Sequence, residues 1–254
     1  MSTPVELATD EVVAHYRREG YAIIRGLLTD PELTRLREVF GELETMPNVV
    51  DRFAKRLVVT RNLWRTHPDL KPLVWTVGRV AARLLGQSGV RLVDDVALVK
   101  PSRHDGGDPT IWHQDAPNFP FDRRGFLTVW IAVNDVSLDQ GPLTFVPRSH
   151  RLGLLGAVDG GGEEVGLEAL LRPDDYAYIG NSLTTALSAG DASVHDGLML
   201  HAAGPNLTDR PRLAWGVRFI PSATLYTGGA HRAFDNLGLK PFEPFDHPNF
   251  PLIE

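Results

Sequence analysis

The chain has 254 residues, of which 43% are hydrophobic and 23% charged, and its formal net charge is -6. That length can bury a full core without staples. The absence of cysteine excludes disulfides, thiolate metal sites and cysteine nucleophiles, so any metal must be held by nitrogen and oxygen. Basic residues come in short clusters such as Arg17-Arg18 and Arg123-Arg124, not in the runs of a nucleic-acid surface. The opening MSTPVELATDEVV lacks the basic and apolar regions of a signal peptide, and no apolar run approaches the length of a membrane span. The expectation is a soluble cytoplasmic protein with no nucleic-acid or membrane partner.

Residues 10–18 read as a helix capped by Asp10, and Tyr21–Ile24 as a short strand after Gly20. Asp30-Pro31 opens a second helix, with the carboxylate as cap and proline in the first turn. Leu33, Leu36, Phe40 and Leu43 then recur at helical spacing. A third helix is expected from Leu70 to Gly86. From about residue 90 the apolar stretches become short and rich in β-formers: Val90–Val99, Thr110–Trp112, Phe126–Val133, Leu143–Val146, Ala192–His201 and Leu213–Phe219. Gly and Pro punctuate them, as in an antiparallel sandwich or barrel. The stretch 152–190 reads as an insertion or lid with one short helix near 164–171. The tail 236–254, with four prolines and three phenylalanines, reads as an ordered wrap. The whole of 1–254 is expected to form one domain: helices over about 10–86, a mainly β core over about 90–220, and a C-terminal wrap over 221–254.

Thr110-Ile-Trp-His-Gln-Asp115 carries most of the chemistry. On a strand, residues i and i+2 share a face, so His113 and Asp115 would present an imidazole and a carboxylate together. A second His-x-Asp, His67-Pro68-Asp69, has proline at its centre, which disfavours a strand, and His67 reads as structural. Two histidines and one carboxylate can occupy one face of an octahedron and leave three positions open. The best third ligand is His201, at the end of GDASVHDGLMLH; His195, on the same approach, is its rival. Arg212 lies eleven residues beyond His201. An arginine deep in a barrel needs an anionic partner, and its fork suits a dicarboxylate. Trp112, Phe119, Phe121 and Trp130 are candidates for an apolar pocket wall, with ordinary core as the alternative. Trp130 is the strongest and is counted with the cofactor-binding residues.

The order His113-x-Asp115, His201, Arg212 resembles the phytanoyl-CoA dioxygenase family of iron(II) and 2-oxoglutarate oxygenases. GYAIIRGLLTDPELTRLREVF, IWHQD, VWIAVNDVSLDQGPLTFVPRSH and HAAGPNLTDRPRLAWGVRF each resemble a family block, in the expected order. The resemblance implies a double-stranded β-helix, or jelly-roll, with flanking helices. It implies His113, Asp115 and His201 as iron ligands and Arg212 as partner of the far carboxylate of 2-oxoglutarate. Lys100 matches a position that can reach the other carboxylate. Ala203 stands where the family often has a hydroxyl, and Arg148 replaces the glycine of the commoner proline-glycine-serine-histidine turn. The implied reaction consumes dioxygen, converts 2-oxoglutarate to succinate and carbon dioxide, and removes a hydrogen from a small or medium-sized metabolite. Hydroxylation is the usual outcome, with desaturation, cyclisation and epimerisation as relatives. Halogenases of this superfamily lack the carboxylate that Asp115 supplies. A zinc hydrolase or lyase on the same ligands and a non-catalytic jelly-roll binding protein are the alternatives. Monomer or homodimer is left open.

Overall fold

A computed structural model describes residues 4–44, 58–155, 166–231 and 233–254. Four N-terminal helices come first or nearly so: α1 (Pro4–Leu7), α2 (Asp10–Glu19), α3 (Asp30–Glu44) and α4 (Leu63–Thr66). Between them run strands β1 (Tyr21–Ile24) and β2 (Val58–Arg61), and α5 (Lys71–Leu85) follows. Then come β3 (Val90–Lys100), β4 (Thr110–His113), β5 (Leu127–Ala132) and β6 (Leu143–Phe145). Helix α6 (Leu167–Leu170) and strands β7 (Leu183–Thr184), β8 (Ala192–Asp196), β9 (His201–Ala203), β10 (Arg212–Pro221) and β11 (Leu252–Ile253) complete the order. Among the described residues the strands form a seven-stranded sheet, β1-β8-β5-β10-β3-β11 with β2 also on β3, and a four-stranded sheet, β4-β9-β6-β7. All pairings are antiparallel. This is the mainly β jelly-roll expected from the sequence.

The helices cover one face of the large sheet. Helix α5 buries Leu73, Val74, Val77, Val80, Ala81 and Leu84, the stripe that an amphipathic helix turns to a core. Opposite lie Ala97, Leu127, Val129, Ile131, Val194, Trp215 and Val217, all in the same buried cluster. Gly78 lets the C-terminal strand approach, since a Cβ there would meet Ile253 Cδ1 at 2.7 Å. The tail adds its own core, in which Phe234, Phe245 and Phe250 pack edge-on with ring centroids 5.3 to 5.5 Å apart.

Several boundaries differ from the sequence reading. Both helix caps sit one residue earlier than expected. Thr9 caps α2 by accepting the Val12 N–H at 3.3 Å, and ahead of α3 the Thr29 N–H and hydroxyl both donate to Glu32, at 2.8 and 2.7 Å. The run 192–201 is two strands in different sheets, because the chain turns at Gly197, where a side chain would strike Phe126. The insertion at 152–190 contains α6, a 3-10 turn at Pro173–Ala177 and β7; its Gly160-Gly161-Gly162 stretch lies outside the described residues.

Candidate metal centre

The small sheet brings the histidines together. His113 ends β4 and His201 begins β9, and they are direct register partners. Their ring centroids lie 4.1 Å apart. Asp115 is not on the strand, contrary to the alternation expected of it. Its backbone is helical (φ -75°, ψ -44°), leading into a 3-10 turn at Ala116–Asn118. The turn swings the carboxylate back, and Oδ1 comes to 3.5 Å from His113 Nε2 and 3.8 Å from His201 Nε2. One donor atom from each of His113, Asp115 and His201 falls within 4.8 Å of the others.

The donor chemistry fits an iron(II)-type ion. His113 Nδ1 lies 2.8 Å from the Ile111 carbonyl, and His201 Nδ1 lies 3.0 Å from the Met199 carbonyl. A carbonyl only accepts, so each Nδ1 carries a proton, and Nε2 is the atom that each ring turns to Asp115 and could offer to a metal. Burial, then the neighbouring His113 and His195, hold His201 well below the usual histidine range, which favours its neutral form. Burial would raise the Asp115 carboxyl, but hydrogen bonds from His113 and His195 outweigh it and hold it well below the usual range. For His113 burial works downward, but the hydrogen bond to Asp115 and its charge outweigh it and hold the ring above the usual histidine range. Two imidazoles and one carboxylate are a donor set that would hold such an ion and leave positions open for other ligands. Gln114, between the ligands, ties down the surroundings. Its amide donates to Gly153 and Leu198 carbonyls at 2.8 and 2.6 Å and accepts the Leu155 N–H at 2.9 Å.

Behind Asp115 stand two further polar groups. Thr128 donates its hydroxyl to Oδ2 at 2.9 Å, and His195 Nε2 lies 3.4 Å from the same oxygen. The sequence reading weighed His195 as the rival third ligand and did not name Thr128. Thr128 shares the inner face with Trp130 on β5, but nothing in the sequence marks its partner.

Arg212 lies on the inner face of the large sheet and is 2% exposed. It donates to the Gly141 carbonyl at 2.6 Å, and its guanidinium carbon sits 5.0 Å from the centroid of Trp130, a cation–π distance. Its Nε is buried with no partner among the described residues. Burial pulls its pKa down to about 10. A buried guanidinium without a carboxylate is costly, and this is the observation that fits a dicarboxylate ligand. Lys100 pairs with Arg212 in register. Its ammonium donates to the Gly204 and Asp108 carbonyls at 2.6 and 2.9 Å, and burial followed by the Arg212 charge lowers its pKa to about 7. Ala203 is buried and offers no hydroxyl. His67 bonds to Thr66 and Glu42 and stays structural.

In the segment that follows Asp115 a cavity of about 330 Å³ is lined by Ala116, Phe119, Phe121, Arg124, Phe126 and Leu198, and by none of the three triad residues. Phe119 and Phe121 stack with planes 11° apart.

The profile of the phytanoyl-CoA dioxygenase (PhyH) family matches residues 16–214. The chain belongs to that family. With the family comes the enzyme class, an oxygenase dependent on iron and 2-oxoglutarate. Among curated relatives, the methylphosphonate hydroxylase of Gimesia maris is 25% identical over 221 residues, covering 80% of this chain and 77% of that protein. Among solved structures, the epimerase SnoN, in complex with Fe3+, alpha ketoglutarate and nogalamycin RO, has TM-score 0.81 and 29% identity and covers 99% of this chain and 100% of that one. The carbocyclase SnoK from nogalamycin biosynthesis has TM-score 0.78 and 28% identity, covering 98% of each chain.

Proposed function

We propose that His113, Asp115 and His201 hold the iron, that Arg212 grips the far carboxylate of 2-oxoglutarate against Trp130, and that the chain oxidises a flat, multi-ring metabolite. The observation that carries the reading is the buried Arg212 guanidinium, which among the described residues has no carboxylate in contact and an unpartnered Nε. A zinc hydrolase on the same triad has no use for it. Lys100 supports the same end from the side, bracing the turns at Asp108 and Gly204. The helices, the jelly-roll and the wrap act as one domain in this reading, because α5 shares a core cluster with β5, β8 and β10.

Bound iron with 2-oxoglutarate and dioxygen supplies the oxidising chemistry, releasing succinate and carbon dioxide. The protein's residues do the rest. Asp115 and the two imidazoles would hold the ion. Arg212 and Trp130 set the direction of the co-substrate. The buried strands around them exclude water. The aromatic cavity beyond Ala116 offers flat faces to a planar ring system, and the likeness to SnoN and SnoK, enzymes of nogalamycin biosynthesis, supports a metabolite as the substrate. Asp115 keeps a carboxylate in the coordination position that a halide would need, so the product is an alcohol or a rearranged, desaturated or epimerised relative.

The test is anaerobic titration of metal-free protein with Fe(II) and then 2-oxoglutarate, following the visible charge-transfer band of the chelate. The expected band is saturable, lost in His113→Ala and weakened in Arg212→Ala. Tight metal binding with no band would refute the oxygenase assignment of these residues. Phe119→Ala should leave the band intact and weaken uptake of planar multi-ring compounds, read by tryptophan fluorescence.

A further inference from the structure

Across the large sheet, Tyr21, His195, Thr128, Arg218 and Asp94 are successive register partners on β1, β8, β5, β10 and β3. Directly opposed residues of neighbouring strands share a face, so these side chains form one row across the inside of the jelly-roll. The far end of the row closes on itself, since Arg218 donates through Nε to Asp94 Oδ1 at 2.5 Å. The middle of the row meets Asp115. Thr128 donates its hydroxyl to Oδ2, and His195 Nε2 lies against that same oxygen. The opposite oxygen, Oδ1, is the one turned to His113 and His201. The two carboxylate oxygens therefore have separate surroundings.

The surroundings of the ring nitrogens sort the three histidines. His113 and His201 face carbonyls with Nδ1 and Oδ1 of Asp115 with Nε2. His195 differs at both atoms: its Nε2 faces Oδ2, and its buried Nδ1 meets no partner among the described residues. In agreement, the group of donor atoms within 4.8 Å of one another comprises His113, Asp115 and His201 and leaves His195 out.

We infer that His195 and Thr128 act together as positioning residues that occupy Oδ2 of Asp115, so that the carboxylate binds the metal through Oδ1 alone. This rests on the reading that His113, Asp115 and His201 hold the ion. Its consequence is coordination number. A carboxylate that chelates through both oxygens fills two positions. One held to a single oxygen leaves three open, two for the chelating co-substrate and one for dioxygen. Outer partners that orient a ligand typically matter by 10- to 100-fold in metal affinity.

The experiment is anaerobic calorimetry of Fe(II) binding to the full chain, with the visible spectrum of the Co(II)-loaded protein as second readout. Thr128→Val and His195→Phe should each weaken Fe(II) by roughly 10- to 100-fold and alter the Co(II) bands as the second oxygen reaches the ion. Thr128→Ser, which keeps the hydroxyl, should restore both readouts. The melting temperature of the metal-free Thr128→Val protein should match wild type, which separates positioning from folding. If Thr128→Val and His195→Phe leave affinity and spectrum unchanged while His113→Ala abolishes binding, the inference is overturned and the triad stands. If His195→Phe abolishes binding as fully as His113→Ala while Thr128→Val is silent, His195 is itself a ligand and the inference is again overturned. If His113→Ala binds Fe(II) normally, the triad reading falls and takes this one with it. Should His195→Phe not fold, the Thr128 pair decides the matter.

Discussion

The two faces of the seven-stranded sheet come from the same strands but do different work. On β10, Trp215 and Val217 point to the helices and are fully buried in apolar surroundings. Their neighbours Arg212, Ala214 and Arg218 point inward, among Trp130, Thr128 and the metal-type triad. On β3, Ala97 faces out while Asp94 and Lys100 face in. The two-residue period of a strand thus separates stability from chemistry one residue at a time. The outer face holds the fold, and the inner face tolerates groups that burial disfavours. One polar exception sits outside: Asp95 accepts the indole N–H of Trp215 at 2.8 Å and the Trp64 N–H at 3.3 Å.

The sharpest way to break this division is to cut each face in turn. Trp215→Ala removes a fully buried indole and leaves Asp95 Oδ2 without its indole donor. A loss of about 3–5 kcal/mol is expected for the cavity alone, read by urea unfolding of the metal-free protein. On the inner face, Arg212→Met should act in the opposite sense. It removes a buried charge that meets no carboxylate among the described residues, so metal-free stability should hold or rise, by up to about 1–4 kcal/mol. Affinity for 2-oxoglutarate, measured by calorimetry on the Fe(II) protein, should fall by roughly 100-fold, the scale of losing a buried charged partner. If stability fell with Arg212→Met, the inner face would be part of the structural core and the division would fail.

The separation also explains what could be read from the sequence. The outer face is a run of β-branched and aromatic residues, so the strands were legible, and so was the jelly-roll through the resemblance. The triad was legible because His-x-Asp, a distant histidine and an arginine eleven residues on form a chemically specific set. The reason given for Asp115 was nevertheless wrong: a turn places it, not strand alternation. Thr128 was not legible, because a threonine in a strand is ordinary until its partner is known. Strands β7 and β11 have two residues each, too few to show a period. The two helix caps were missed by one residue because Asp and Thr are both good caps and stand side by side.

Acid–base behaviour gives a finer test, because each face carries a group that burial displaces to about 7. On the outer face, burial raises Asp95 to about 7. Its folded pKa exceeds the unfolded value near 3.9, so its favourable contribution is complete below that value and is lost as pH rises toward about 7. On the inner face, burial and Arg212 lower Lys100 to about 7. Here the unfolded chain holds the proton more tightly, so stability rises with pH between about 7 and the unfolded value near 10.4. The two effects place a minimum in metal-free stability near neutrality. Asp95→Asn should flatten the acid limb and Lys100→Met the alkaline limb, each leaving the other in place, as read from denaturant midpoints across pH. Loss of both limbs in either variant would mean the two groups are coupled through the sheet.

The smallest effect lies in the turn after β6, on the small sheet. Arg148 stands in the left-handed region (φ 69°), where a glycine would sit without strain. Its N–H donates to the Glu19 carbonyl at 2.8 Å, which holds the turn against α2 whatever the side chain. The side chain adds only a half-exposed pair with Glu19 at 3.7 Å, worth about 0–1 kcal/mol. Arg148→Gly should therefore change stability little, since relief of strain offsets both the lost pair and the greater freedom of the unfolded chain. Arg148→Val, with a branched Cβ in the same conformation, should be less stable than the glycine variant by about 1–2 kcal/mol. Equal midpoints for the two variants would mean that the turn yields to its side chain, and the backbone path between β6 and the cavity wall would then be set by the Glu19 contact and not by the conformation of residue 148.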